Sequence, residues 1–175
     1  MPDATGLELL AQELREVAPD GVLDAVFFRN KGALHVAPQS IRVILAALRE
    51  RGYDSLRSVH GVDYYPEDPR LGVHYEMLNM GTADRLTVQL RVPIDDPEVD
   101  SVTPQGPDAP GWPTADHQER EVYDMFGVIF RGHPDLRRIL MPEDYEGHPQ
   151  RRDFPIGGEP VVFTYNEHQY GGGHS

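Results

Sequence analysis

Three carboxylates on one predicted helix are the first candidates for chemistry. Glu119, Glu121 and Asp124 lie in the run WPTADHQEREVYDMFG at residues 112–127. Carboxylates that converge on one site can act as a general acid and a general base. At helical spacing, however, Glu119 and Glu121 point to opposite faces. The spacing therefore argues against an acid–base pair.

Histidines are the second class of candidate, because the chain contains eight of them and no cysteine. His133 and His148 each precede a proline, without the i, i+4 spacing or the clustered ligands of a known metal motif. We expect both to anchor loops through hydrogen bonds. The lack of cysteine excludes disulfides and thiolate ligation of an iron–sulfur cluster by this chain. No serine lies in a nucleophile elbow.

Two arginine pairs, at residues 137–138 and 151–152, lie in proline-bounded segments. They could bind a phosphate or an anionic lipid head group. Paired arginines more often make bidentate salt bridges to carboxylates, because the planar guanidinium matches the carboxylate geometry. We favour salt bridges to a partner protein.

The helix at residues 112–127 has recognisable ends. Pro113 is favourable in the first turn, and the negative charge of Asp116 is favourable near the positive, N-terminal end of the helix dipole. Gly127 is a typical residue for a helix end. Its apolar stripe consists of Trp112, Ala115, Val122, Tyr123 and Phe126. Glu119 lies at the centre of this stripe, with Arg120 and Asp124 on the flank. Because a buried carboxylate needs a donor, we predict that Glu119 pairs with an arginine of the arm or of a partner; the alternative is that Glu119 reaches water.

The elements that position these residues follow from hydrophobic periodicity. A helix begins at a capping box formed by Thr5 and Glu8. Strands at 22–28 and 33–37 flank a hairpin turn at 29–32. A second helix starts at Ser40 and ends at Gly52, and strands follow at 55–65, 71–80 and 85–92. The order helix–two strands–helix–three strands predicts a two-layer α+β domain. The helix at residues 112–127, which we call the signature helix, and an extended C-terminal arm follow this domain.

Proline placement suggests how the chain is divided. Six prolines between positions 93 and 113 predict irregular structure. We therefore expect an α+β core domain at 1–112, with a proline-rich linker at 93–112. We expect residues 113–175 to form the signature helix and, from residue 131 onward, a partner-binding C-terminal arm. A long arm without regular structure is unusual in a compact enzyme and suits a protein that contacts a neighbour in a complex.

Charge and hydropathy limit the partners. The formal net charge of −13 disfavours nucleic acid and anionic lipid as partners. The longest apolar window, at 43–48, is far too short to span a bilayer. We expect the chain to reach a membrane only through other proteins.

Four segments together carry a family resemblance: EREVYDMFG at 119–127, GHPDLRRIL at 132–140, GHP at 147–149 and RRDFP at 151–155. They resemble the signature of the C subunit of the proton-pumping NADH:quinone oxidoreductase, respiratory complex I. The resemblance implies interface or structural roles for a defined set of signature residues. These are Glu119, Arg120, Glu121, Asp124, Phe126, Gly127, His133, Pro134, Arg137, Arg138, His148, Arg151, Arg152 and Asp153.

The resemblance also implies a place and a function. The chain would be a cofactor-free scaffold of the peripheral arm on the cytoplasmic face of the cell membrane. It would pack mainly against the D subunit, near the B subunit and the quinone site. FMN and the iron–sulfur clusters would lie in partner subunits that pass electrons from NADH to quinone, coupled to proton translocation. We expect no catalytic, cofactor-binding or metal-binding residue on this chain.

Two alternatives remain open. The chain could be the equivalent subunit of a membrane-bound hydrogenase or of a photosynthetic NDH complex. It could also be an independent enzyme, with acid–base or metal-dependent chemistry built on the acidic helix and the histidines.

Overall fold

The computed structural model describes residues 3–155 and has a mixed α+β architecture, which confirms the predicted fold class. The helices are α1 (Ala4–Val17), α2 (Ile41–Glu50) and α3 (Ala115–Phe126). The strands are β1 (Val22–Phe28), β2 (Lys31–Val36), β3 (Ser55–Asp63), β4 (Leu71–Leu78), β5 (Arg85–Val92), β6 (Glu98–Asp100) and β7 (Ile129–Arg131). The last part of the predicted arm, 156–175, lies outside the described residues.

Five strands form the main sheet in the order β1-β2-β5-β4-β3. Neighbouring strands are antiparallel except β2 and β5, which are parallel. Alternate residues of β4 and β5 are buried, as the two-residue period of a strand requires. The helices α1 and α2 pack against each other and share one hydrophobic core with the sheet. One face of α2 is fully buried, at Ile41, Ile44, Leu45 and Leu48.

Two local predictions in the first half are wrong. Asp3, rather than Thr5, caps α1, and its Oδ1 accepts a hydrogen bond from the Gly6 amide at 2.7 Å. The β1–β2 turn contains only Arg29 and Asn30, with φ of 49° and 58°. Positive φ at both central residues matches the twist of a two-residue hairpin. Residues 31 and 32 therefore belong to β2.

The ends of α2, β3 and β4 also differ in part from the prediction. A short 3-10 helix, Pro38–Ser40, leads directly into α2, so Ser40 makes no side-chain capping bond. Gly52 lies just beyond α2 with φ of +89°, as predicted for a helix end. Both β3 and β4 end two residues earlier than predicted. The connection between them starts at Tyr64, whose amide donates to the Arg70 carbonyl at 2.9 Å.

The segment predicted to be irregular contains a strand. Within residues 93–112, β6 pairs in parallel with β7, joining Glu98 to Ile129 and Asp100 to Arg131. The strand forms there because Val99 and Phe130 bury their side chains in the common core. Residues on both sides of position 112 therefore contribute to one core in the described part of the chain.

Helix α3 is shorter than predicted at its start and ends where expected. It begins at Ala115, whose amide donates to the Trp112 carbonyl at 3.0 Å, so Trp112 precedes the helix. Trp112 is nevertheless buried. Gly127 ends α3 in the left-handed conformation, with φ of +78°, and its amide donates to the Tyr123 carbonyl at 2.8 Å.

Helix α3 covers one edge of the main sheet by packing along β3. The Gln118 side chain accepts a hydrogen bond from the Val59 amide, and Thr114 Oγ1 donates to the Leu56 carbonyl at 3.3 Å. The Phe126 ring lies against Gly61, where a Cβ atom would collide with it. No helix in residues 3–155 is long and apolar enough to cross a membrane.

Candidate functional site

Glu119 is fully buried, and its partners are not the predicted ones. Its carboxylate accepts hydrogen bonds from Ser101 Oγ at 2.5 Å, the Val102 amide at 2.8 Å and Thr103 Oγ1 at 3.0 Å. The predicted arginine pair is wrong within this chain: no arginine contacts Glu119 in residues 3–155, and the sequence beyond Pro155 contains none. Because β6 pairs with β7, residues 101–103 lie over α3, and their uncharged hydroxyl and amide groups donate to the Glu119 carboxylate.

Burial changes the titration of this carboxyl group. It raises the pKa of Glu119 to about 7, against the lowering effect of hydrogen bonds from Ser101, Val102 and Thr103. The negative charge of Asp116 raises the pKa further. Glu119 therefore exchanges a proton near neutral pH.

His133 closes the same cluster. Its Nε2 lies 3.9 Å from Glu119 Oε2 and 3.4 Å from Asp116 Oδ1. Nε2 donates to the Asp116 carbonyl at 3.2 Å, and Nδ1 accepts from the Asp135 amide at 3.0 Å. Burial lowers the pKa of His133, which favours the neutral ring. The predicted loop anchoring by this histidine is confirmed.

The ion pair with a buried carboxylate on α3 belongs to Asp124. Arg138 Nη1 lies 2.6 Å from Asp124 Oδ1. Asp124 Oδ2 accepts hydrogen bonds from the amides of Ile139 (3.1 Å), Leu140 (2.8 Å) and Met141 (2.9 Å). Burial acts to raise the pKa of Asp124, but these amides and Arg138 outweigh it, so the pKa falls below its usual value. Asp124 was among the predicted site residues, but its pairing with Arg138 was not predicted. A negative charge in the last helical turn opposes the helix dipole, and this signal indicated that Asp124 needs a donor of its own.

The free carbonyls at the end of α3 are capped by the arm. Helix C-termini leave backbone carbonyls without intrahelical donors. The Asp124 carbonyl accepts hydrogen bonds from Arg138 Nη1 at 3.3 Å and from His148 Nδ1 at 3.0 Å. The Met125 carbonyl accepts from the Gln150 amide at 3.2 Å, and the Phe126 carbonyl accepts from Arg151 Nε at 2.7 Å. The predicted anchoring role of His148 is confirmed. The cations also lie at the negative end of the helix dipole.

A second anchor joins the arm to the β3–β4 connection. Arg70 binds Asp63 through Nε (2.8 Å) and Nη2 (2.7 Å), and binds Asp153 through Nη1 (2.8 Å) and Nη2 (2.7 Å). The Arg152 amide adds a 2.7 Å bond to Asp63. The Arg70 hydrogen bonds hold the pKa values of both carboxyls below their usual range. Asp63 and Arg70 were not among the predicted site residues, although opposite charges at the two ends of a short connection indicate that the two side chains can pair.

The remaining signature residues have smaller roles. Arg120 is buried and donates to the carbonyls of Arg137 and Arg138 at 3.2 and 3.4 Å. Arg137 is exposed and pairs with Asp135 at 2.8 Å. Glu121 is exposed, on the face opposite Glu119 as predicted.

The geometry of the site favours positioning over chemistry. Most signature side chains donate or accept hydrogen bonds that fasten residues 133–153 to α3 and to the β3–β4 connection. Within residues 3–155, no group of three or more His, Asp or Glu side chains is placed to hold a metal ion. The arrangement can fix the path of the arm and can take up one proton at Glu119.

Comparison with known proteins gives consistent results. Residues 34–160 match the family model described as the 30 kDa subunit of the respiratory-chain NADH dehydrogenase. The chain is 40% identical over 170 residues to the C subunit of the NADH-quinone oxidoreductase of Roseiflexus sp. strain RS-1, covering 95% of this chain and 92% of that one. It is 41% identical over 128 residues to NADH-quinone oxidoreductase subunit 5 of Thermus thermophilus, and this match covers 68% of this chain and 59% of that one.

Two solved structures share the fold. The trypsin-resistant fragment (1-134) of Nqo5 is 30% identical, with a TM-score of 0.62, and matches 74% of this chain and 98% of the fragment. A chain of the membrane-bound sulfane sulfur reductase, an archaeal respiratory membrane complex, matches with a TM-score of 0.68 over 93% of this chain and 90% of that one. At 24% identity, this second likeness concerns the fold alone.

Proposed function

Since the chain belongs to the family of the 30 kDa subunit of the respiratory-chain NADH dehydrogenase, we propose that it is a structural subunit of a proton-pumping NADH:quinone oxidoreductase. It would support electron transfer from NADH to quinone without binding a redox cofactor itself. The observation that carries this proposal is the use of the signature residues. Their side chains fasten the arm to α3 and to the β3–β4 connection, which fixes a path for the arm that contact with a partner would stabilise further.

The proposed place is the peripheral arm, at the cytoplasmic face of the membrane. The D subunit would be the main neighbour, with B and other peripheral-arm subunits nearby, and FMN and the iron–sulfur clusters would lie in those partners. The identity of the relatives supports this placement, and the net charge of −13 disfavours direct contact of the chain with anionic lipid. The signature residues would then act as structural and interface residues.

The arm would complete its order against the D subunit. Its described part makes polar contacts with the rest of the chain but contributes few residues to the hydrophobic core. The solved Nqo5 relative is a trypsin-resistant fragment of residues 1–134. This supports an arm that proteases remove first when partners are absent, as expected for segments of low local stability.

Co-purification tests the proposal. The chain would be tagged in its source organism, the complex purified from detergent-solubilised membranes, and its subunits identified by mass spectrometry. We expect the D and B subunits, together with NADH:quinone reductase activity that the isolated chain lacks. Recovery with hydrogenase subunits would favour the related-complex alternative, whereas a stoichiometric, chelator-resistant metal on the isolated chain would favour an independent enzyme.

A further inference from the structure

An apolar groove lies on the outer side of α2, and its lining includes none of the residues that anchor the arm. Its volume is about 390 Å³. The apolar part of its lining comes from Val43 and Ala46 of α2 and from Val102, Pro110 and Trp112. The outer face of a surface helix is normally polar, yet Val43 is 47% exposed there. We refer to this feature as the α2 groove.

Two guanidinium groups flank the α2 groove, and neither has a carboxylate partner in the part of the chain that the structure describes. Arg42 and Arg49 both line it, and neither makes a salt bridge in residues 3–155, whereas seven other arginines do. Glu50 is the one carboxylate of the lining, so the lining carries a net positive charge. In a chain with a net charge of −13, this is an unusual surface. It is complementary to an anionic group.

The groove is held in shape before any partner arrives. Arg49 Nη1 donates to the Gly111 carbonyl at 3.2 Å, and its guanidinium carbon lies 5.2 Å from the Trp112 ring centre. The Trp112 amide donates to the Val102 carbonyl at 2.9 Å. A site ordered in advance loses less conformational entropy on binding. Tryptophan and arginine are also enriched among residues that dominate binding energy at interfaces.

We propose that the α2 groove docks a segment of another subunit of the same complex, in which a large apolar side chain stands next to a carboxylate. This inference rests on the proposed function. The apolar side chain fills the groove, and the carboxylate binds Arg42 and Arg49. The apolar lining suits an apolar side chain. Arg42 and Arg49, which make no salt bridge within residues 3–155, provide the donors that a desolvated carboxylate requires.

Site-specific photo-crosslinking in the complete complex tests the inference. p-Benzoylphenylalanine would replace Ala46 in the chain expressed in its source organism, and the crosslinked peptide would be identified by mass spectrometry. We expect one peptide of another subunit, with Asp or Glu adjacent to a large apolar residue. The same probe at Val17, an exposed residue of α1 outside the groove, is the control and should not label that peptide.

Reversing the charge of Arg42 then tests whether the partner carboxylate binds at the α2 groove. Arg42→Glu should lower the crosslinking yield by about tenfold, and Lys in place of the partner carboxylate should restore it. Arg57→Glu, at an exposed position of β3, should leave the yield unchanged. Labelling of a second copy of this chain or of lipid would overturn the inference, as would the absence of any labelled peptide in an intact complex. If the unsubstituted chain fails to co-purify with D and B, the proposed function itself fails and this inference with it.

Discussion

Arg138 and Asp124 form an ion pair of 2.6 Å that joins the arm to the end of α3. The carboxylate is fully buried, and the arginine side chain is 14% exposed. Four donors converge on this one carboxylate when the amides of residues 139–141 are included. The last turn of α3 and the arm are therefore expected to lose their structure together.

Asp124→Asn tests the importance of this pair. The substitution keeps the side-chain shape but removes the charge that Arg138 and three amides stabilise. Removing one partner of a buried pair costs about 3–5 kcal/mol, so the free energy of unfolding should fall by about that amount. Urea unfolding of the isolated chain measures it. Glu121→Gln, on the exposed face of the same helix, should change it by less than about 0.5 kcal/mol; equal effects of the two variants would refute the structural role of Asp124.

Glu119 should make stability depend on pH. Its pKa is about 7 in the folded chain, against an ordinary value of 4.5, so the folded state binds more protons between these values. The free energy of unfolding therefore falls as pH rises through this window, by about 3 kcal/mol in total. Glu119→Gln should remove this decrease.

The measurement for Glu119 is urea unfolding of the wild-type chain and of Glu119→Gln from about pH 4 to pH 8, a range that includes both the unfolded and the folded pKa of Glu119. The lowered pKa of His133 acts with the opposite sign, since it favours folding at higher pH. The difference between the two chains isolates Glu119 because both retain His133. A difference that does not vary with pH would contradict the prediction.

Asp153→Asn should loosen the arm. It removes the charge that binds Arg70, while Asp63 still holds that arginine. Because Asp153 is 51% exposed, solvent screens the pair and the loss is about 1 kcal/mol. Trypsin should then cleave residues 131–152 on the order of fivefold faster. Asp144→Asn, also exposed in the arm, is the matched control and should not alter the rate.

Gly127→Ala should destabilise the end of α3. The residue has φ of +78°, and an added Cβ would lie 2.5 Å from Arg151 Nη2 and from His148 Nε2. Left-handed strain alone costs roughly 1 kcal/mol, and displacement of the two capping side chains adds to it. Thermal unfolding measures the loss. Gly106→Ala, whose Cβ would meet no atom within 4 Å, should have little effect, and an equal loss there would argue against this explanation.

Local sequence patterns were enough to predict the main elements and the faces that they bury. Apolar residues at helical or alternating spacing predicted α1, α2 and the five main strands, since such patterns depend on a few consecutive residues. The same reasoning predicted that Glu119 lies in the apolar stripe of α3, that Glu121 lies on the opposite face, and that the helix ends at Gly127. The family signature was also recognisable in the sequence.

Which groups meet depends instead on the tertiary structure. Ser101 and Thr103 reach Glu119 because β6 pairs with β7, about thirty residues further along the chain. Arg70 meets Asp153 across 83 residues of sequence. No local period encodes such pairings, because each depends on how complete elements pack together. For the same reason the buried ion pair formed at Asp124, where the arm delivers Arg138, and not at Glu119, where the segment after β6 supplies neutral donors.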